Sequence, residues 1–148
     1  MNSPDIPFAA KPAPAIGDEE IETLYSIAHQ LHSGGMRAKA LDLFALVAAY
    51  RPRSIRYNKA LGISLMGSGD YEKAIPILAT AILCDTEDDP SLAVAFAECL
   101  ALTDRRRQAL RLFQKARIRL NDHADLPEAE RLLAHADRWM AILGSASS

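Results

Sequence analysis

The chain repeats itself. Shifted by 34 residues, the segment from Ile21 lies on the segment from Ile55: Ala28 falls on Gly62, Leu31 on Leu65, Gly35 on Gly69, Ala40 on Ala74, Phe44 on Leu78 and Val47 on Ala81. A third copy follows at an offset of 35, pairing Gly62 with Ala97, Leu65 with Leu100, Ala74 with Ala109, Leu78 with Phe113 and Ala81 with Ala116. The extra residue fits the acidic connector that runs from Asp85 to Pro90. A repeat of this period is one supersecondary unit that cannot bury its own apolar face and must stack on its neighbours.

The content of each copy specifies the unit. Small residues at Ala28, Gly62 and Ala97, and again at Ala40, Ala74 and Ala109, allow two short antiparallel helices to approach closely. Phe44, Leu78 and Phe113 fill the space between units. Gly35 and Gly69 stand where a helix stops and turns. In the third copy Asp104 takes that place, a residue that tolerates the left-handed conformation. Pro52 closes the first unit because proline cannot continue a helix. This is the tetratricopeptide pattern, and it predicts an all-α array of three hairpins over about 21–54, 55–89 and 90–123.

The flanks differ. Residues 1–17 carry Pro4, Pro7, Pro12 and Pro14 and no sustained apolar period, so they read as an extended, mobile tail. Asp18 then offers an N-cap, with Glu19 and Glu20 in the first turn. Pro76, inside the second helix of unit two, predicts a kink or a late helix start. After unit three, Pro127 suits the first turn of a capping helix over 127–143. Leu132, Leu133, Ala136, Met140 and Leu143 make its apolar face, with Arg131, His135 and Arg138 on the other side. Residues 144–148 read as a second tail.

Composition excludes several functions. Lys and Arg total 17 against 19 for Asp and Glu, a net charge of −2, which does not suit a general nucleic-acid binder. No apolar run reaches the ~20 residues of a membrane span, and the N-terminus lacks the apolar core of a secretory signal. Cys84 and Cys99 lie in apolar helical runs, outside any Cys-x-x-Cys spacing, and read as small buried residues. There is no phosphate loop and no nucleophile elbow, so neither an enzyme nor a cofactor is expected. His29 and His32 have a spacing that could hold a metal, with Glu22 and Tyr25 on the same side, but two polar groups lining a groove account for them more simply. The basic cluster Arg105, Arg106, Arg107, Arg111, Lys115, Arg117 and Arg119 reads as a solvated helix face. An acidic protein partner is its second reading.

The groove is the functional candidate. Stacked hairpins curve, and the first helix of each unit lines the concave side. The second, fifth, ninth and twelfth positions of each unit point inward. These are Glu22, Tyr25, His29 and His32 in unit one; Arg56, Lys59, Ile63 and Met66 in unit two; and Ser91, Val94, Glu98 and Ala101 in unit three. Such a surface, with apolar pockets and sparse charges of both signs, suits an extended peptide. Some unit-three positions could instead pack against the capping helix.

Three stretches resemble a known family. They are Leu24-Tyr25-Ser26-Ile27-Ala28 with Ser33-Gly34 downstream, Leu61-Gly62 with Gly69-x-Tyr71-x-x-Ala74-Ile75, and Ala97-Glu98-Cys99-Leu100. Over about residues 18–143 the chain resembles the class II chaperones of bacterial type III secretion systems. The resemblance implies a cytoplasmic chaperone without ATPase activity. It would hold hydrophobic translocator proteins in its groove, preventing aggregation and premature association before export. Tyr25, His29, His32, Ile63 and Met66 would line that groove, with His29 and His32 where relatives often carry aromatics. The resemblance also implies a homodimer as a partner state; relatives often form one through an N-terminal helical region, a route that the Pro-rich tail up to Pro14 does not favour. A chaperone of a needle subunit, usually working beside a second chaperone, and a general scaffold remain alternatives.

Overall fold

The computed structural model describes residues 15–146, and the prolines of the expected tail (Pro4, Pro7, Pro12 and Pro14) lie outside the described residues. The described residues form helices joined by short turns: α1 Asp18–Ser33, α2 Arg37–Tyr50, α3 Ile55–Gly67, α4 Tyr71–Cys84, α5 Pro90–Leu102, α6 Arg106–Asp122 and α7 Ala129–Ala146. Each helix packs mainly on its neighbours in sequence, giving hairpins α1–α2, α3–α4 and α5–α6, with α7 lying on α6 and reaching α5. The fold is an all-α tetratricopeptide array.

The hairpin turns are three copies of one motif. Gly35, Gly69 and Asp104 all have positive φ, at 85°, 80° and 66°. Behind each, the next amide reaches back to the carbonyl of a leucine at the same place in each repeat. Met36 donates to Leu31 at 2.8 Å, Asp70 to Leu65 at 2.9 Å and Arg105 to Leu100 at 2.8 Å. These bonds satisfy carbonyls that a helix end leaves without partners. Asp104 therefore does in unit three what glycine does in units one and two.

The small residues are contact points. Ala28, Ala40, Ala74, Ala97 and Ala109 are fully buried, as are Leu78 and Phe113. Two apolar clusters run through the array. One joins units one and two through Phe44, Leu61, Leu65 and Leu78. The other joins unit three to α7 through Phe113, Leu120, Leu132 and Ala136. Between units, Ser54 caps α3 by accepting from the Tyr57 amide at 3.2 Å. Buried Asn58 donates to the Pro52 and Ser54 carbonyls at 2.9 and 2.8 Å, which fixes the first connector.

Three local expectations change. Gly17, not Asp18, is the N-cap of α1, and its amide donates to Glu20 Oε1 at 3.0 Å. The Asp18 carboxylate is instead held by Arg51, at 2.8 and 3.2 Å, and Arg51 also donates to the Ile16 carbonyl at 2.9 Å. The start of the body, from Ile16, is thus tied to the end of α2. Second, α4 does not start late: it begins at Tyr71 and continues through Pro76. Pro76 and Glu72 are both exposed, so the carbonyl that proline leaves without an amide donor lies on the solvent side of the helix. Third, α7 starts after Pro127, which sits in the preceding turn, and it extends to Ala146.

Candidate functional site

The concave face holds two cavities in series. The first, about 380 Å³, is lined by Tyr25, His29 and His32 of α1, Phe44 of α2, and Arg56, Lys59, Ala60, Ile63 and Ser64 of α3. Its wall is aromatic. Tyr25 meets His29 edge-to-face at 4.6 Å, and His29 meets Phe44 edge-to-face at 5.0 Å, while Tyr57, outside the cavity, backs Tyr25 in a tilted contact at 5.0 Å. The Arg56 guanidinium lies 4.4 Å from the Tyr25 ring centre, a cation–π contact.

The second cavity, about 490 Å³, opens on the far side of Lys59 and Ile63. Met66 of α3 and Ser91, Val94, Ala95 and Glu98 of α5 form one side. Glu128, Arg131, Leu132 and His135 form the other, at and beyond the start of α7. Ile63 and Lys59 belong to both cavities and form the ridge between them. Ile63 is 45% exposed and presents its side chain to both cavities.

The polar groups of the face largely neutralise one another. Arg56 donates to both carboxylate oxygens of Glu22, at 2.6 and 2.5 Å. Lys59 donates to Asp89 at 2.8 Å. His135 Nε2 is hydrogen-bonded to Glu98 Oε1. Burial pushes the Asp89 carboxyl up, but hydrogen bonds from Lys59 and Ser91 outweigh it and hold the group below the ordinary carboxylate range. An incoming chain therefore meets aromatic and apolar walls in the first cavity, and in the second apolar walls interrupted by Glu128 and Arg131, which make no ion pair among the described residues.

Of the residues expected on this face, Tyr25, His29, His32, Arg56, Lys59 and Ile63 come together in the first cavity, and Lys59, Ile63, Met66, Ser91, Val94 and Glu98 in the second. Glu22 lies outside both, in a neighbouring depression with Asp18, Arg51 and Tyr57. Val94 is only 3% exposed and belongs to the core under α7. Ala101 lines neither cavity. Arg131 and His135, expected from sequence on the polar side of the capping helix, line the second cavity, where His135 reaches Glu98 of α5. The sequence assigns Phe44 only to the space between units, and Ala60 and Ser64 fall outside the four positions per unit expected to point inward. His135 escaped notice because its partner Glu98 is 37 residues away in sequence. The spacing of Glu128, Arg131 and His135, on one side of a helix, was the available signal. No group of three or more His, Cys, Asp or Glu among the described residues is placed to hold a metal, and no helix among them is long and apolar enough to cross a membrane.

A family profile described as tetratricopeptide repeat matches residues 65–136. Solved structures carry the likeness further. PcrH in complex with the chaperone binding region of PopD aligns over 93% of this chain and 100% of its own, with a TM-score of 0.79 and 22% identity. The translocator chaperone SycD of Yersinia enterocolitica aligns over 99% and 96%, with a TM-score of 0.78 and 20% identity. The fold is that of the type III secretion translocator chaperones. SycD with a peptide of the translocator YopD aligns over 89% and 98%, with a TM-score of 0.77 and 20% identity. No curated protein sequence matches.

Proposed function

We propose that the chain is a cytoplasmic chaperone of a bacterial type III secretion system, which holds a hydrophobic translocator protein by an extended segment laid along the concave face. The observation that carries this reading is the pair of adjoining cavities on either side of the exposed Ile63, the first walled by aromatic side chains and the second lined by both apolar and charged ones. An extended segment gains most of its affinity from small apolar anchors in pockets, and the polar side chains of the second cavity can fix its path. The array shares its fold with PcrH and SycD, which have been solved with the chaperone binding region of PopD and a peptide of YopD respectively. Tyr25, His29, His32, Ile63 and Met66 would contact the client, with Arg56, Lys59 and Glu98 fixing the walls and Glu22 holding Arg56. Holding requires no chemistry, so no catalytic residue is assigned. SycD has also been solved as an alternative dimer, and a homodimer is compatible with this reading.

The test is co-expression with a translocator protein from the same secretion system. The wild-type chain should keep it in the supernatant and co-purify with it. Ile63→Trp and Met66→Arg should lose the client by occlusion and by an unpaired charge respectively, with helicity unchanged. Both variants folding and retaining full binding would overturn the groove assignment. A chain that instead rescues a small helical needle subunit, or neither client, would support the needle-chaperone or scaffold readings.

A further inference from the structure

Between α5 and α6, away from the two cavities, lies a second surface of different chemistry. Of the basic cluster in α6 and the turn before it, four members are committed. Arg105 pairs with Glu72 at 2.7 Å, Arg106 with Asp104 at 3.6 Å, Arg117 with Asp137 at 3.4 Å and Arg119 with Asp88 at 2.6 Å. The other three, Arg107, Arg111 and Lys115, are exposed and make no ion pair among the described residues. They are four apart in sequence, so they form one stripe with a charge about every 6 Å along the helix.

The stripe borders an apolar depression. Phe96 and Leu100 of α5 and Leu112 of α6 line a groove of about 400 Å³, together with Gln108, Arg111 and Lys115. No carboxylate lines it. Phe96 and Leu112 remain half-buried although both neighbouring helices are in place.

We propose that this groove docks an acidic amphipathic helix of a partner protein, separately from the client of the concave face. A helix laid along α6 repeats carboxylates at the same spacing of about 6 Å when they stand at i and i+4. Its apolar side chains one turn apart would enter the depression over Phe96 and Leu112, as helices do in hydrophobic grooves. The charge complementarity sets orientation and speeds encounter, and the apolar floor supplies the burial. A nucleic acid fits less well. Three cations neutralise about three phosphates, which gives only a shallow salt dependence and weak binding, and the apolar floor would have no partner.

The probe is a synthetic alanine-based helical peptide with leucines at i and i+4 flanked by glutamates, titrated into the isotope-labelled full chain by NMR. Saturable shifts at Phe96, Leu112 and Lys115 are expected, weakening as salt is raised. Arg111→Glu with Lys115→Glu should weaken binding by about tenfold or more, since it places like charges across the contact. Both positions are exposed and unpaired, so helicity should stay unchanged. Arg111→Gln with Lys115→Gln serves if the charge reversal perturbs folding, and should also weaken binding. A control peptide with lysines in place of glutamates should not bind. The proposal fails if binding is absent, if the lysine peptide binds equally, if a single-stranded oligonucleotide binds the site as tightly, or if the shifts fall on Tyr25, Ile63 and Met66. That last outcome would concern the concave reading, which is tested separately by its client.

Discussion

Gly62 lies directly beneath Leu78: a Cβ built on Gly62 would stand 2.5 Å from Leu78 Cδ2 and 2.7 Å from its Cγ. Both residues are buried, in the two helices of unit two. The matching positions in the other units are Ala28 and Ala97, so the hairpin of unit two has closed onto a missing methyl. Gly62→Ala should therefore destabilise the array. Overpacking costs roughly 1–3 kcal/mol, while replacing a mid-helix glycine returns about 1 kcal/mol. The net loss should be about 1 kcal/mol, measured by urea unfolding. In a Leu78→Ala background the same change should become favourable, a sign reversal that a double-mutant cycle reads directly.

That contact also marks what sequence alone discloses. The 34-residue register marks Gly62 as a close-approach position and Leu78 as a large filler, but it assigns Leu78 to the space between units, whereas the structure seats it on Gly62 within unit two. The same register identifies the turns, down to Asp104 in the left-handed conformation. The floor of the groove follows from periodicity along single helices. What periodicity does not carry is the partner of a side chain in another unit. Glu22 with Arg56, Lys59 with Asp89 and Glu98 with His135 are each chosen by the superhelix. Cap choice fails for a related reason: Asp18 is a good N-cap by type, but Arg51, distant in sequence, claims its carboxylate.

Ala74 separates packing from binding. It is fully buried between helices, whereas Ile63 is half-exposed on the groove. Ala74→Glu places a carboxylate where no donor is available, and the cost of several kcal/mol should unfold or melt the array. Circular dichroism should show lost helicity for Ala74→Glu and none for Ile63→Trp.

Pro76 is an exposed proline inside α4. Replacing it with alanine restores the amide donor to the Glu72 carbonyl and removes the ring from the preceding turn. Pro76→Ala should stabilise the array by about 1–3 kcal/mol, seen as a higher urea midpoint. An unchanged or lower midpoint would mean that the proline shape is itself required for packing.

The two cysteines should differ in reactivity. Cys99 is fully buried, and burial, with Glu98 beside it, pushes its thiol up to about 11. Cys84 is half-buried near the end of α4. Relative to a free thiol, the Cys99 thiolate fraction at neutral pH falls by roughly a hundredfold or more. A thiol reagent should therefore label Cys84 first, with Cys99 following only in denaturant. Mass spectrometry of the labelled peptides gives the order.

Asp89 joins the acidic connector to the groove: it caps α5 through the Ser91 amide at 2.9 Å and receives Lys59 at 2.8 Å. Its carboxyl is held below the ordinary range in the folded chain, so the folded state binds this proton less readily than the unfolded state. The resulting stability is fully present above the unfolded value of about 3.9 and is lost as pH falls through the lower folded value. Asp89→Asn keeps an oxygen for the cap but gives up the ion pair. The variant should be less stable than wild type at pH 6, and the gap should narrow steadily below about pH 4. Urea midpoints for both proteins across this range provide the measurement. A gap that stays constant, or widens toward acid, would show that the cap geometry rather than the charge of Asp89 holds the connector.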